Sequence, residues 1–372
     1  MPSRSSVDLT GIEAKQFASA PATAAGTWTP IWLAMDALRR MQGDALEAFG
    51  LGPIECPYEI LASDACWRLR QYSGGDARSS LLIVAAPIKR PYIWDLDPGV
   101  SVVRHCGSRG LRVYLLEWTQ PSCSNRNAGL AEYAGRSIGA AVDRIARAAG
   151  GVQPFIMGHS LGGTLAAIFA AFAPESIRGL VLLGAPLCFE PGSSRLRDGI
   201  VAMVPSSFPD TDVVPGSLLS QLCALASPEA FVWSRLTDAS MSMSDPHAAV
   251  THARIERWAL DEVALQGKLV HDILEWLFRE DRFCAGTLSI GTKTVGPCRL
   301  RVPTLVVVNA ADEIAPPTSV RPFIDAWPEG DVRLIEHAGE IGVGLQHLAI
   351  LVGRQAHVQV WPKIVSWLRA RA

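Results

Sequence analysis

Ser160 stands in Gly158-His159-Ser160-Leu161-Gly162, after the apolar run Phe155-Ile156-Met157 and before a stretch of small residues over 161–172. A serine at a sharp strand-to-helix turn is a nucleophile elbow, and the chemistry it offers is acyl transfer through a covalent serine ester. The turn forces a strained backbone at Ser160, and side chains at 158 and 162 would collide with neighbouring backbone, so glycine is needed at both. The N–H of Leu161, opening the helix, would face an oxyanion formed at the serine. A chain with 32 glycines offers such a pentapeptide by chance; the flanking strand and helix patterns set this one apart.

A serine nucleophile needs a base and the base needs an orienting acid, in the chain order Ser, acid, His. Asp312 follows an apolar strand pattern at 304–308, where a carboxylate at a strand tip can reach an imidazole. Its neighbour Glu313 competes, and the shorter side chain suits Asp312 better to a fixed role. Of eight histidines only 337, 347 and 357 follow Asp312. His347 comes after the glycine-rich stretch 339–346 and before Leu348-Ala349-Ile350-Leu351, a loop-to-helix junction; His337 follows a strand pattern at 332–335 and is the rival. His159, inside the elbow, reads as a packing or pocket-lining residue.

These residues must be positioned by an alternating β and α chain. Apolar segments at 81–85, 113–116, 155–157, 180–183 and 304–308 read as buried strands, with helical patterns at 101–108, 131–149 and 161–172 between them. Continuous apolar strands fit a parallel sheet covered on both faces. The segments 58–62 and 67–72 read as an antiparallel starting pair. The fold class is therefore α/β, a doubly wound, mostly parallel sheet. Between the strands near 183 and 304 the gap is too long for a loop, and a helical cap is expected there. It holds helical patterns at 195–204 and 218–225, a polar section at 240–252 and one strong helix around 258–279. The domain reading is an N-terminal segment (1–56) with an amphipathic helix over 30–49, core (57–186), cap (187–300) and core again (301–372). The apolar stripe of the 30–49 helix is expected to pack on the core, with a membrane or granule surface as the alternative, and residues 1–25 read as frayed.

Composition sets further bounds. Hydrophobic residues make up 49% and charged residues 19%, which excludes general disorder. With 34 basic against 36 acidic residues and no long single-sign run, nucleic-acid binding has no electrostatic footprint. The eight cysteines are scattered without metal-ligand spacing, so no metal site is expected, and free thiols in a cytoplasmic protein are the plain reading. The N-terminal residues carry no apolar signal-like run, and no uncharged apolar stretch is long enough to span a bilayer.

The segment Ala86-Pro87-Ile88-Lys89-Arg90-Pro91-Tyr92-Ile93-Trp94-Asp95-Leu96, continued by Pro98-Gly99-Val100-Ser101-Val102-Val103-Arg104, resembles the polyhydroxyalkanoate synthase family of the α/β-hydrolase superfamily. Leu116-Glu117-Trp118, the stretch 158–165, Asp312 with Ile314-Ala315-Pro316, and His347-Leu348-Ala349-Ile350-Leu351-Val352-Gly353 match it too. The resemblance covers roughly 57–372 and is loose across the cap. It implies an α/β-hydrolase fold, prefers His347 over His337 as the base, and points to 3-hydroxyacyl-CoA or a hydroxyacyl polyester as substrate, with no metal or redox cofactor. A second oxyanion donor is expected after the strand at 81–85, around Ile88. Partners implied are the acyl substrate, a polyester granule surface and a homodimer. The chain departs from the family twice: Ser160 stands where the family has cysteine, and Glu313 where it usually has histidine. An oxyester is less activated than a thioester, which tilts the reading from polymerisation towards hydrolysis or a single acyl transfer.

Overall fold

The computed structural model describes residues 30–206, 213–327 and 331–372; residues 1–25, read above as frayed, lie outside them. Eight strands form the central sheet: β1 (Tyr58–Ser63), β2 (Trp67–Tyr72), β3 (Asp76–Val84), β4 (Leu111–Trp118), β5 (Phe155–His159), β6 (Gly179–Leu183), β7 (Thr304–Asn309) and β8 (Val332–His337). Their order is β1-β2-β4-β3-β5-β6-β7-β8. β1 pairs antiparallel with β2, and β2 with β4; every later pairing is parallel.

Alternation along the strands explains why they read as unbroken apolar runs. Leu82 and Val84 of β3 turn to one face, where α3 (Ile138–Ala148) and α4 (Leu161–Phe172) cover them; Leu81 and Ile83 turn to the other, beneath α2 (Val102–Gly107) and the C-terminal helix Trp361–Arg369. Both sets are fully buried, as parallel strands between two helical layers require.

Here α1 is Pro30–Leu46, and the helical segments between β6 and β7 are α5 (Arg195–Met203), α6 (Gly216–Ala226), α7 (Arg235–Ser242) and α8 (Pro246–Ala259). The polar section 240–252 is thus mostly helical. The single helix expected around 258–279 is instead broken. The chain leaves α8 after Ala259, then resumes as a helix at Gly267–Asp272 that continues in wider turns over Ile273–Arg279. The break is held by charge. Asp261 accepts a hydrogen bond from Tyr92 Oη at 2.6 Å and pairs with Arg257, while Glu262, buried, pairs with Lys89 at 2.9 Å and Arg39 at 2.7 Å. A continuous helix would pull both carboxylates off these partners.

The same charges turn α1 over. Trp32 packs on the core, but most of the apolar stripe does not: Ile31 and Met41 are each 68% exposed, and Phe49, just beyond the helix, 83%. The buried positions are Asp36 and Gly43. Asp36 caps the start of α6 by accepting the Ser217 N–H at 2.8 Å, Arg39 reaches Glu262, and Glu47, just beyond α1, pairs with Arg257 at 2.8 Å. Buried cap charges need partners more than a surface stripe needs cover.

Two cysteines are not free thiols. Cys188, after β6, forms a disulfide with Cys284, 96 residues on, and the carboxylate of Asp281 lies in the same cluster. Burial pushes the Asp281 carboxyl up to about 7, so it shares the site largely as the neutral acid below that pH. Six cysteines are free. No helix among the described residues is long and apolar enough to cross a membrane. Thiol titration of the denatured, unreduced protein is expected to count six of the eight cysteines, and all eight after reduction; eight before reduction would remove the Cys188–Cys284 bond.

Candidate active site

β5 delivers Ser160 to the carboxyl edge of the sheet, and α4 starts at the next residue. The serine sits at φ 55°, ψ −136°, a left-handed conformation that non-glycine residues rarely adopt and that costs about 1–3 kcal/mol. Backbone bonds hold it there: Ser160 N–H donates to Leu183 O at 3.1 Å, and Ser160 O accepts from the N–H of Gly163 and Thr164 at 2.9 and 3.1 Å. The expected glycine shoulders are required. A Cβ at Gly158 would stand 2.6 Å from the Gly163 nitrogen, and one at Gly162 would run into the Val84 carbonyl. The second clash also shows that the backbone leaving β3, Val84–Ala86 by number, runs directly against the start of α4.

Asp312 lies three residues beyond β7. One carboxylate oxygen accepts the N–H groups of Ile314 and Ala315, each at 2.9 Å; the other takes His347 Nδ1 at 2.7 Å. Burial works against its charge, but the His347 partner and the two N–H groups outweigh it and hold the Asp312 carboxyl below its ordinary value. An ionised Asp312 accepting at Nδ1 fixes the tautomer that leaves Nε2 as the base nitrogen. His347 Nε2 is buried without a hydrogen-bond partner, so the bond to Ser160 is not formed in this state. Both side chains line one cavity of about 400 Å³. Such contacts often close only when substrate enters.

Leu161 and Ile88 line the same cavity, as do Ala86 and Lys89. Leu161, first in α4, has an N–H with no intrahelical acceptor. Pro87 has no N–H, so Ala86 and Ile88 are the backbone donors available in that turn. Away from the chemistry the cavity is walled by apolar side chains of the cap, including Ile200, Leu222, Phe231 and Phe278. His337 is not on it: it is buried at the end of β8, with Nε2 3.4 Å from Glu340. Glu313 is exposed beside Asp312.

His159 packs, as its place suggested. Its ring lies 4.4 Å from that of His347, and its Nε2 bonds to the His347 carbonyl at 2.8 Å. Burial, then the neighbouring His347, push its pKa down to about 3, so it stays a neutral N–H donor there. Gly184 was not singled out from sequence. It follows β6 at φ +48°, and a Cβ there would stand 3.2 Å from the Asp312 carboxylate and 3.6 Å from His347 Nδ1. Its only local signal is a glycine after an apolar strand.

A family model described as alpha/beta hydrolase fold matches residues 93–344. The chain is 28% identical over 364 residues to Poly(3-hydroxyalkanoate) polymerase subunit PhaC of Haloferax mediterranei, covering 92% of this chain and 73% of that protein. It is 28% identical over 295 residues to the PhaC subunit of Haloarcula marismortui, covering 78% of this chain and spanning 61% of that protein's length. Among solved structures, a soluble variant of monoglyceride lipase from Saccharomyces cerevisiae superposes with a TM-score of 0.55 at 14% identity, over 86% of this chain and 96% of that one. The resemblance to polyhydroxyalkanoate synthases expected from the residues is met by these relatives.

His347→Ala is expected to lower turnover of an activated ester by about 10³-fold or more, with Asp312→Asn also strongly impaired. His337→Gln is expected to stay within a few-fold of the parent. Steady-state hydrolysis of a chromogenic ester checks all three, and a reversed order for the two histidines would move the base.

Proposed function

The chain belongs to the alpha/beta hydrolase fold family, and from that membership we propose that it is a serine-dependent acyl-ester or thioester hydrolase or acyltransferase, related to polyhydroxyalkanoate synthases and acting on 3-hydroxyacyl-CoA or a hydroxyacyl polyester. The observation that carries this is the Asp312–His347 pair, with its unpartnered Nε2, sharing one cavity with the strained Ser160. Ser160 Oγ attacks the acyl carbonyl and its proton passes to His347 Nε2. The N–H of Leu161, with that of Ile88 or Ala86, stabilises the oxyanion. His347 then protonates the leaving thiolate or alkoxide as the carbonyl re-forms, which leaves acyl-Ser160. Water, giving its proton to His347, attacks that ester; collapse returns the proton to Ser160 and releases the acid. Replacing water by a hydroxyl at the chain end of a polyester would turn the same steps into chain growth. The serine ester, less activated than a thioester, favours water.

A cytoplasmic setting suits a CoA thioester, and there a reducing environment would open the Cys188–Cys284 bond. The exposed stripe of α1 supports a second role, contact with a polyester surface or a second copy of the chain through Ile31, Met41 and Phe49. Were the chain instead a non-catalytic protein binding polyester granules through this helix, Ser160 would not react with a serine-directed phosphonate.

Purified protein given 3-hydroxybutyryl-CoA is expected to release CoA and soluble 3-hydroxybutyrate, and Ser160→Ala is expected to release neither. Insoluble polymer would make the chain a polymerising transferase. Release that persists in Ser160→Ala would end the serine mechanism.

A further inference from the structure

The loop that carries His347 is tied to the cap by one carboxylate. Residues 339–346 form no strand, and Gly339, Gly342 and Gly344 within them all have left-handed φ, at 85°, 85° and 69°. Such a stretch is costly to order, and its N–H groups have no ladder partners. Asp238, on α7, supplies them: Oδ1 accepts from Gly342 at 2.8 Å and from Val343 at 3.4 Å, and Oδ2 accepts from Gly344 at 2.8 Å. Asp238 is itself buried and fixed from the cap side. His252 Nδ1 lies 2.7 Å from Oδ2, His252 Nε2 lies 3.7 Å from Glu256, and Arg235 donates to Glu256 at 3.0 Å. Burial works against the Asp238 charge, but His252 and the loop N–H groups outweigh it, so it is held as the carboxylate.

On its other side the loop is pinned to the core. Asn309 donates to Gln346 O at 2.7 Å, and Gln346 and Glu340 bond to each other across the loop. Ile255 of α8 packs in the same buried cluster as Val343 and Leu348, flanking His347 on both sides in sequence. The base therefore hangs between a core anchor and a cap anchor.

We propose that Asp238 is a positioning residue for His347: by taking the three loop N–H groups it makes the place of the imidazole, and so its bond to Ser160, depend on the seating of the cap. The proposal rests on His347 being the base. Asp238 touches no reacting atom and is not itself a catalytic residue. The unformed Ser160–His347 bond then describes one seating of the cap, and substrate entering between cap and core brings the other.

The test compares Asp238→Ala, the shape-preserving Asp238→Asn and His252→Gln, which leaves the loop bonds in place but frees the carboxylate from its cap partner. Measured are kcat and KM on a chromogenic ester, the rate of Ser160 labelling by a phosphonate, and Tm. A displaced base of the ångström order costs about 10²-fold, so kcat and labelling in Asp238→Ala are expected to fall together by about that factor, with KM changed less than about 3-fold. Asp238→Asn and His252→Gln are expected to fall in the same direction by less. A carboxylate that merely staples the cap would lower Tm or raise KM and leave kcat at saturation alone, which would overturn the proposal. So would kcat and labelling at parental rates in the folded variants. If the parent itself is not labelled at Ser160, the reading of the site falls first, and this inference with it.

Discussion

The structure depends on a serine held where a serine is not comfortable. Ser160 keeps a left-handed backbone because β5 ends and α4 begins on either side of it with no spare residue between. The sheet pays for that strain through packing: Phe155, Ile156 and Met157 are fully buried before the turn, and Leu165 through Ala167 after it. The shoulders at Gly158 and Gly162 leave room for neighbouring backbone alone. Once the serine is placed, the N–H of Leu161, the backbone leaving β3 and the tip of β7 are placed with it, because α4 follows the serine directly, β3 borders β5 and β7 stands one strand further on, beyond β6.

The cap shares a buried apolar cluster with the core through residues such as Leu269, Leu274 and Leu277, and charge fastens it as well. Glu262 draws Lys89 from the turn after β3 and Arg39 from α1; Arg257 holds Glu47 and Asp261; Asp238 holds the histidine loop. Buried ion pairs contribute little net stability, because desolvation offsets their attraction, but removing one partner is strongly unfavourable. Fastenings of that kind specify where the cap sits. That suits a cap that walls an apolar cavity holding Ser160 and His347.

What was legible in the sequence was what is local. The elbow occupies five consecutive residues between a strand and a helix, and the parallel strands announce themselves because both faces are buried. The strand β8 and the antiparallel pair β1 and β2 were equally plain. The choice of base was not settled by residue type: His337 and His347 both follow plausible elements, the loop-to-helix junction favoured His347, and a resemblance strengthened that choice before the structure brought His347 to Asp312. The rest turned on partners far away in the chain. The stripe of α1 faces outward because Ser217, Arg257 and Glu262 claim its polar side, and no periodicity records that. The break after Ala259 comes from Tyr92, Lys89 and Arg39, more than a hundred residues earlier. The Cys188–Cys284 bond joins cysteines in no motif. Asp238 carried no signal in the sequence, since its three loop N–H donors come about a hundred residues later.

The central claim is that Ser160 carries the acyl group. The measurement closest to it is mass spectrometry of peptides from enzyme quenched in acid during turnover of 3-hydroxybutyryl-CoA. The account predicts a hydroxybutyryl adduct on the peptide containing Ser160, accumulating in the parent and missing from Ser160→Ala. An adduct on a cysteine peptide, or turnover with no covalent adduct at any time, would contradict it.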